Sequence, residues 1–110
     1  MQMYEMTTNR RSVMQVLEIT IERLSIEATE RCLWDSLELF DGPQAGGGSP
    51  SMVRLCGFIV PHYPFVTSSN IVTIQFTSDS SVNYHGFEIG YRVADRRRPH
   101  GSAQYLHAGM

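Results

Sequence analysis

Lysine is absent from this sequence, and all nine basic residues are arginines. The absence excludes Schiff-base lysines, phosphate-loop lysines and serine–lysine dyads as catalytic groups. Eleven acidic residues leave a formal net charge of −2. This charge gives no electrostatic reason to expect nucleic acid or an anionic membrane as a partner.

Long apolar runs are also missing, and none is long enough to cross a bilayer. We therefore expect no transmembrane segment in this chain. The first eleven residues lack the apolar central region and the small-residue cleavage site of a signal peptide. If the protein is secreted, we expect that this segment does not direct its export.

Cysteine is scarce, with Cys32 and Cys56 as the two present. Two cysteines are too few for a thiolate zinc site, and their spacing is not that of a Cys-x-x-Cys pair. One disulfide in an oxidising compartment and two buried free thiols in a cytosolic protein are both compatible with this count.

Patterns that indicate catalysis or a metal are missing as well. The histidines at positions 62, 85, 100 and 107 have no metal-ligand spacing, and no nucleophile elbow is visible. The glycine-rich stretch at 41–50 is followed neither by a lysine nor by a helix, which argues against a phosphate-binding loop. We therefore expect exposed histidines and no catalysis within this segment.

What is present is enough apolar sequence for one domain, since 42% of 110 residues are hydrophobic. Residues 13–22 alternate as in a half-buried strand, but positions 13, 17, 21, 24 and 28 also recur at helical spacing. Their β-branched content favours a strand. Further strands are predicted at residues 36–40, 52–60 with an interruption at 56–57, 71–77 and 86–93. Short strands joined by loops rich in Gly, Pro and Ser predict an all-β antiparallel sandwich.

Four blocks of sequence, in this order, resemble a CUB domain, a jelly-roll-type β-sandwich used for binding outside the cell. The first runs from Glu27 through the only tryptophan to Asp41-Gly42, and the second is Leu55-Cys56-Gly57. The third is residues 68–76, and the fourth is residues 77–81 followed by Gly86-Phe87. Each block is weak alone, whereas the ordered set is specific. The resemblance implies that Cys32 and Cys56 form the family's second disulfide.

The resemblance also predicts the domain organisation. Residues 1–12 match neither the first cysteine pair nor the first two strands of the family. We therefore expect a non-matching segment at 1–12, a CUB domain incomplete at its N-terminus at 13–93, and a flexible tail or linker at 94–110. Trp34 stands where the family usually has a tyrosine, and its amphipathic ring favours packing at the core or an edge over ligand stacking.

A calcium site is the third implication of the resemblance. Calcium-binding members of the family carry three acidic positions at one end of the sandwich, which match Glu27, Asp35 and Asp79 here. Carboxylates are suitable ligands because Ca²⁺ takes about 6–8 oxygens. Ser81, together with these carboxylates, is expected to hold a basic side chain of the ligand beside the ion. The alternative is that these acids are ordinary solvated loop residues.

The function implied is that of a non-catalytic, extracellular protein-binding module, secreted or part of a larger ectodomain. Two alternatives stay open. The module positions a substrate for an extracellular protease of tolloid or complement type, or the chain is a truncated product without function. Fold alone does not decide among these, because CUB modules serve many partners.

Overall fold

The computed structural model describes residues 2–7, 15–44, 47–78, 86–95 and 103–108. It contains eight strands in two four-stranded sheets, with the orders β1-β6-β3-β4 and β5-β2-β7-β8. All strand pairs in this part of the chain are antiparallel. The strands are β1 Gln2–Thr7, β2 Gln15–Ser25, β3 Ser36–Phe40, β4 Ser51–Leu55, β5 Phe65–Val66, β6 Ile71–Thr77, β7 Gly86–Asp95 and β8 Ala103–Ala108. The all-β antiparallel sandwich is confirmed.

The apolar side chains of the two sheets form one core. Sheet β1-β6-β3-β4 contributes buried leucines of β3 and Val72, Ile74 and Phe76 of β6, and the other sheet contributes alternating residues of β2 and β7. Phe76 and Phe87 meet edge to face across the core, with ring centroids 5.2 Å apart. Such aromatic pairs add to the free energy gained from burying their surface.

A β-bulge explains why β2 resembled a helix in sequence. Leu17, Ile19 and Ile21 are buried at alternate positions, but the pairing with β7 shifts register between Ile21 and Arg23. After this shift Leu24 faces the core, so the spacing between buried residues is locally three instead of two. An extra residue in one strand has this effect. The prediction of a strand here is confirmed by β2.

The Asp41-Gly42 turn ends β3 and is held by two neighbouring segments. Asp41 Oδ1 accepts a hydrogen bond from the Ser68 backbone N–H at 2.8 Å. The buried Thr73 hydroxyl donates to the Gly42 carbonyl at 2.8 Å. Gly42 has a φ of +131°, and an added Cβ would lie 2.7 Å from Ser49 Oγ. Glycine is therefore required both by the backbone and by the space.

The N-terminal segment differs from its prediction. Residues 1–12 were expected to lie outside the domain, but Gln2–Thr7 pairs with residues 71–76 of β6. Tyr4 and Met6 pack against the core, and the Tyr4 ring lies 6.4 Å from that of Phe87. Strand β1 therefore covers one edge of the sandwich. The sequence analysis left it out because residues 1–12 lack the cysteine pair that marks the first strands of the family.

The C-terminal segment also differs from its prediction. Residues 94–110 were expected to be a flexible tail, but β7 continues to Asp95 and Ala103–Ala108 forms β8. Six residues of β8 pair with β7, from Ala108 opposite Phe87 to Ala103 opposite Arg92. An open strand edge favours association with other chains. Strand β8 covers this edge of β7.

A disulfide joins Cys32 and Cys56 with a Cα–Cα distance of 5.6 Å, as the resemblance implied. It connects the segment between β2 and β3, which contains a 3₁₀ turn at Glu30–Cys32, to the end of β4. Among the described residues, no helix is long and apolar enough to cross a membrane.

Removing β8 should destabilise the sandwich. We expect a variant that ends at Asp95 to unfold at lower urea concentration and to aggregate more readily, because the edge of β7 loses its ladder hydrogen bonds, worth about 0.5–1.5 kcal/mol net each. Urea titration followed by tryptophan fluorescence measures the midpoint. A variant lacking only residues 109–110 is the control and should retain the parent midpoint. Equal midpoints for both truncations would show that β8 contributes nothing.

Removing the disulfide should also lower stability. The crosslink closes a loop with a sequence separation of 24 residues, for which loop entropy predicts a loss of roughly 3–4 kcal/mol. We expect the double variant Cys32→Ser/Cys56→Ser to lose about this much unfolding free energy in urea. Reductant should weaken the parent protein but leave the double variant unchanged. A parent protein without a cooperative transition would favour the alternative that this chain has no stable fold.

Candidate functional site

Two connections between the sheets meet at the same end of the sandwich. Ser25 at the end of β2 pairs with Gly86 at the start of β7. In the other sheet, Ser36 at the start of β3 pairs with Thr77 at the end of β6. The β2–β3 and β6–β7 connections therefore leave and enter the sheets side by side. We call this region the crossover end.

Glu27 and Asp35 both lie in the β2–β3 connection. Glu27 follows Ile26, which is held by a two-hydrogen-bond bridge to Gly57 (3.1 and 2.9 Å). Its side chain is half-buried, and its Oε2 atom is fully buried. Asp35 directly precedes β3 and is only 1% exposed. Two of the three acidic residues predicted for calcium therefore lie at the crossover end. Glu27 has one buried carboxylate oxygen, and the whole side chain of Asp35 is buried.

Asp79 and Ser81 lie outside the described residues, so their predicted roles remain predictions. The described chain before them ends at Ser78, one residue beyond the Thr77–Ser36 pair. Within residues 2–7, 15–44, 47–78, 86–95 and 103–108, no three acidic, histidine or cysteine side chains are grouped closely enough to hold a metal. The structure thus places two of the predicted acids in one connection and does not describe the third.

Arg54 positions the connection that carries Asp35. Its guanidinium donates two hydrogen bonds to the Cys32 carbonyl, from Nε at 3.2 Å and Nη2 at 2.9 Å. Its Nη1 atom lies 3.8 Å from Glu38, the residue opposite it on β3. Arg31 and Cys32 have φ values of +57° and +53°, which non-glycine residues seldom adopt. The arginine fork and the disulfide together hold this left-handed turn.

Two exposed apolar side chains directly follow Cys32 in the sequence. Trp34 is 63% exposed, so the predicted packing of its ring at the core or an edge is wrong. Its backbone N–H donates to Thr29 Oγ1, which fixes the backbone while the ring faces solvent. Leu33 is similarly exposed. His62 is exposed, as predicted, whereas the other three histidines have no described side chains.

Two features were missed in the sequence. Arg54 was not singled out, although its register opposite Glu38 follows once β3 and β4 are paired. Residues 52–60 were predicted to be a strand interrupted at 56–57, but β4 is Ser51–Leu55 and no strand is assigned to residues 58–60. The signal against a ladder in this part is Pro61 directly after it, since proline has no N–H to donate.

The chemistry available at the crossover end is that of hard oxygen donors. Carboxylates, hydroxyls and backbone carbonyls suit a cation such as Ca²⁺, or a basic side chain of a partner. Both cysteines are in the disulfide, so the described part of the site contains no free thiol.

Comparison with known proteins identifies the family. The model of the CUB domain matches residues 3–91. Pig cubilin is 34% identical over 86 residues, which are 76% of this chain and 2% of that protein. Human tolloid-like protein 1 is 36% identical over 72 residues, which are 66% of this chain and 7% of that protein. The solved CUB1-EGF-CUB2 domain of human MASP-1/3 has a TM-score of 0.70 and 16% identity over 86% of this chain and 35% of its own.

The match begins at residue 3, which includes the strand β1 that the sequence analysis left outside the domain. The chain spans only a few per cent of the cubilin and tolloid-like relatives that it matches. These relatives are extracellular proteins, and a CUB domain is a non-catalytic protein-interaction module. By its sequence match over most of its length, and by the sandwich that it forms, the chain belongs to the CUB domain family.

Proposed function

We propose that this chain binds an extracellular protein through its crossover end, and that calcium held by Glu27, Asp35 and Asp79 supports the binding. The observation that carries the proposal is the burial of Asp35, 1% exposed, at the start of β3. A carboxylate that the fold holds in a fixed position beside a core strand is a suitable oxygen ligand for a divalent cation.

The donor set fits calcium better than a transition metal. The ligands proposed are carboxylates, and both cysteines are engaged in the disulfide, so no thiolate is available to favour zinc. Backbone carbonyls of the two connections would complete the 6–8 oxygens that Ca²⁺ prefers. The bound ion would crosslink the β2–β3 and β6–β7 connections at the crossover end.

The charge that remains defines the kind of ligand. Three carboxylates contribute −3 and one Ca²⁺ contributes +2, which leaves −1. We propose that a lysine or arginine of the partner docks here, with Glu27, Asp35 and Ser81 as acceptors. Charge-assisted hydrogen bonds of this type are stronger than neutral ones. Arg54 supports the site indirectly, because it holds the Cys32 carbonyl in the same connection.

The setting of the module is a further proposal. The similarity to human tolloid-like protein 1 favours a multidomain parent in which the module positions a substrate for an extracellular protease. A protease domain in the same gene product would support this candidate over a receptor-type parent. Both settings place the module in a secreted protein or an ectodomain, where the disulfide is stable.

Calcium should bind to the oxidised protein and stabilise it. We expect a measurable heat in calorimetric titration and a higher melting temperature with calcium. At a calcium concentration of 100 Kd, linkage predicts about 2.7 kcal/mol of added stability. Asp35→Asn and Asp79→Asn should each weaken binding at least about tenfold, because the number of charged ligands sets calcium affinity.

Glu22→Gln is the matched control, because it removes one acidic charge from an exposed position of β2. It should leave the calcium affinity unchanged. A melting curve of Asp35→Asn in the presence of a chelator shows whether this variant folds without calcium. If it does not fold, Asp79→Asn is the variant that tests the site. Absence of both heat and stabilisation in the parent protein would refute the calcium proposal.

A further inference from the structure

The segment after the disulfide runs along an edge of the second sheet without joining it. Gly57 is bridged to Ile26, and Phe65 pairs with Ile19. The eight residue steps from Gly57 to Phe65 therefore cover the same distance as the seven steps from Ile19 to Ile26, which is about 23 Å at the rise of a strand. Eight residues reach at most about 26–29 Å. The segment is thus well extended, although no strand is assigned to residues 58–64.

This segment has one face toward the core and one toward solvent. Val60 and Phe65 pack against the core. The other large apolar side chains are each more than half exposed, and Ile59 reaches 85%. We call this outward set the apolar strip; its members are Phe58, Ile59, Tyr63 and Val66.

The exposed surface of the apolar strip is on the order of 500 Å². A patch of this size is at the upper end of what monomeric proteins usually expose, and such patches are often functional. A standard interface buries about 800 Å² per partner with an apolar centre and a polar rim. The strip is therefore large enough to form the centre of a protein interface.

The lack of charged residues in this segment indicates which kind of partner would bind the apolar strip. Residues 58–66 contain no aspartate, glutamate or arginine. The strip thus has no charge with which to select a basic or acidic partner, in contrast to the crossover end. A second copy of the same strip matches it in length and apolar character, and brings no like charges together. Membrane binding is disfavoured, because interfacial segments usually carry basic residues, and the neighbouring strand β2 presents Glu18 and Glu22.

We infer that two copies of this chain associate through the apolar strip about a twofold axis near His62. Twofold contacts use the same patch on both subunits. An antiparallel arrangement centred on residue 62 places Phe58 of each copy opposite Val66 of the other. Pro61 and Pro64 interrupt the backbone N–H groups along this segment, so the contact is made by side chains and not by a continuous sheet.

Sedimentation equilibrium of the full oxidised chain tests the inference. The parent protein should show a concentration-dependent dimer. Ile59→Asp and Tyr63→Asp should each raise the dimer dissociation constant at least about tenfold, because each copy then buries a charge without a partner in the apolar contact. Met3→Asp is the matched control: Met3 is 50% exposed on β1, in the other sheet, and its replacement should leave the dimer intact.

A cysteine crosslink keeps the test valid if an aspartate variant folds poorly. His62→Cys should form an intermolecular disulfide under mild oxidation, whereas Met3→Cys should not. A parent protein that stays monomeric at all concentrations would overturn the inference. A dimer that Met3→Asp disrupts as much as Ile59→Asp does would also overturn it. The same holds for a monomer that binds phosphatidylcholine vesicles through the apolar strip.

Discussion

The contact between Phe87 on β7 and Phe76 on β6 joins the two sheets of the sandwich, and the remaining architecture depends on this apolar interface. Phe87 is 1% exposed and also meets the ring of Tyr4 on β1. One side chain thus contacts strands from the first and the second half of the chain. Because the burial of apolar surface is the main favourable term in folding, the inner faces determine which strands lie opposite one another, and the connections follow from that.

The crossover end of the molecule is a consequence of this packing. Once β2 lies in one sheet and β3 in the other, the chain between them must cross, and β6–β7 crosses at the same end. Asp35 is buried there because it directly precedes a core strand. The disulfide and Arg54 then hold the crossing chain in a left-handed turn. Glu27 and Asp35 give this end acidic character, whereas the apolar strip beside β2 contains no acidic or basic residue, so the two regions suit different partners.

Strands buried on one face were visible in the sequence, because apolar and polar residues alternate in any strand that packs one face on a core. Strands β3 and β6 have the bounds that were expected. The helix-like spacing in β2 arose from a bulge, which is a property of the pairing with β7. Strands β1 and β8 were missed because each pairs at a sheet edge, where few apolar side chains are required. Their place in the sheets is decided by distant partners.

The sequence alone therefore determined the sandwich class, the cysteine pair and the acidic residues of the candidate site. Alternation, turn residues and the ordered motifs are local properties that are readable without a partner strand. Tertiary structure alone decided that β1 and β8 close the two sheets, that Arg54 reaches Cys32, and that Trp34 and the apolar strip face solvent. Each of these depends on residues brought together from distant parts of the chain. Whether a side chain is buried or exposed is decided by the residues that pack against it, and most of these are not its neighbours in sequence.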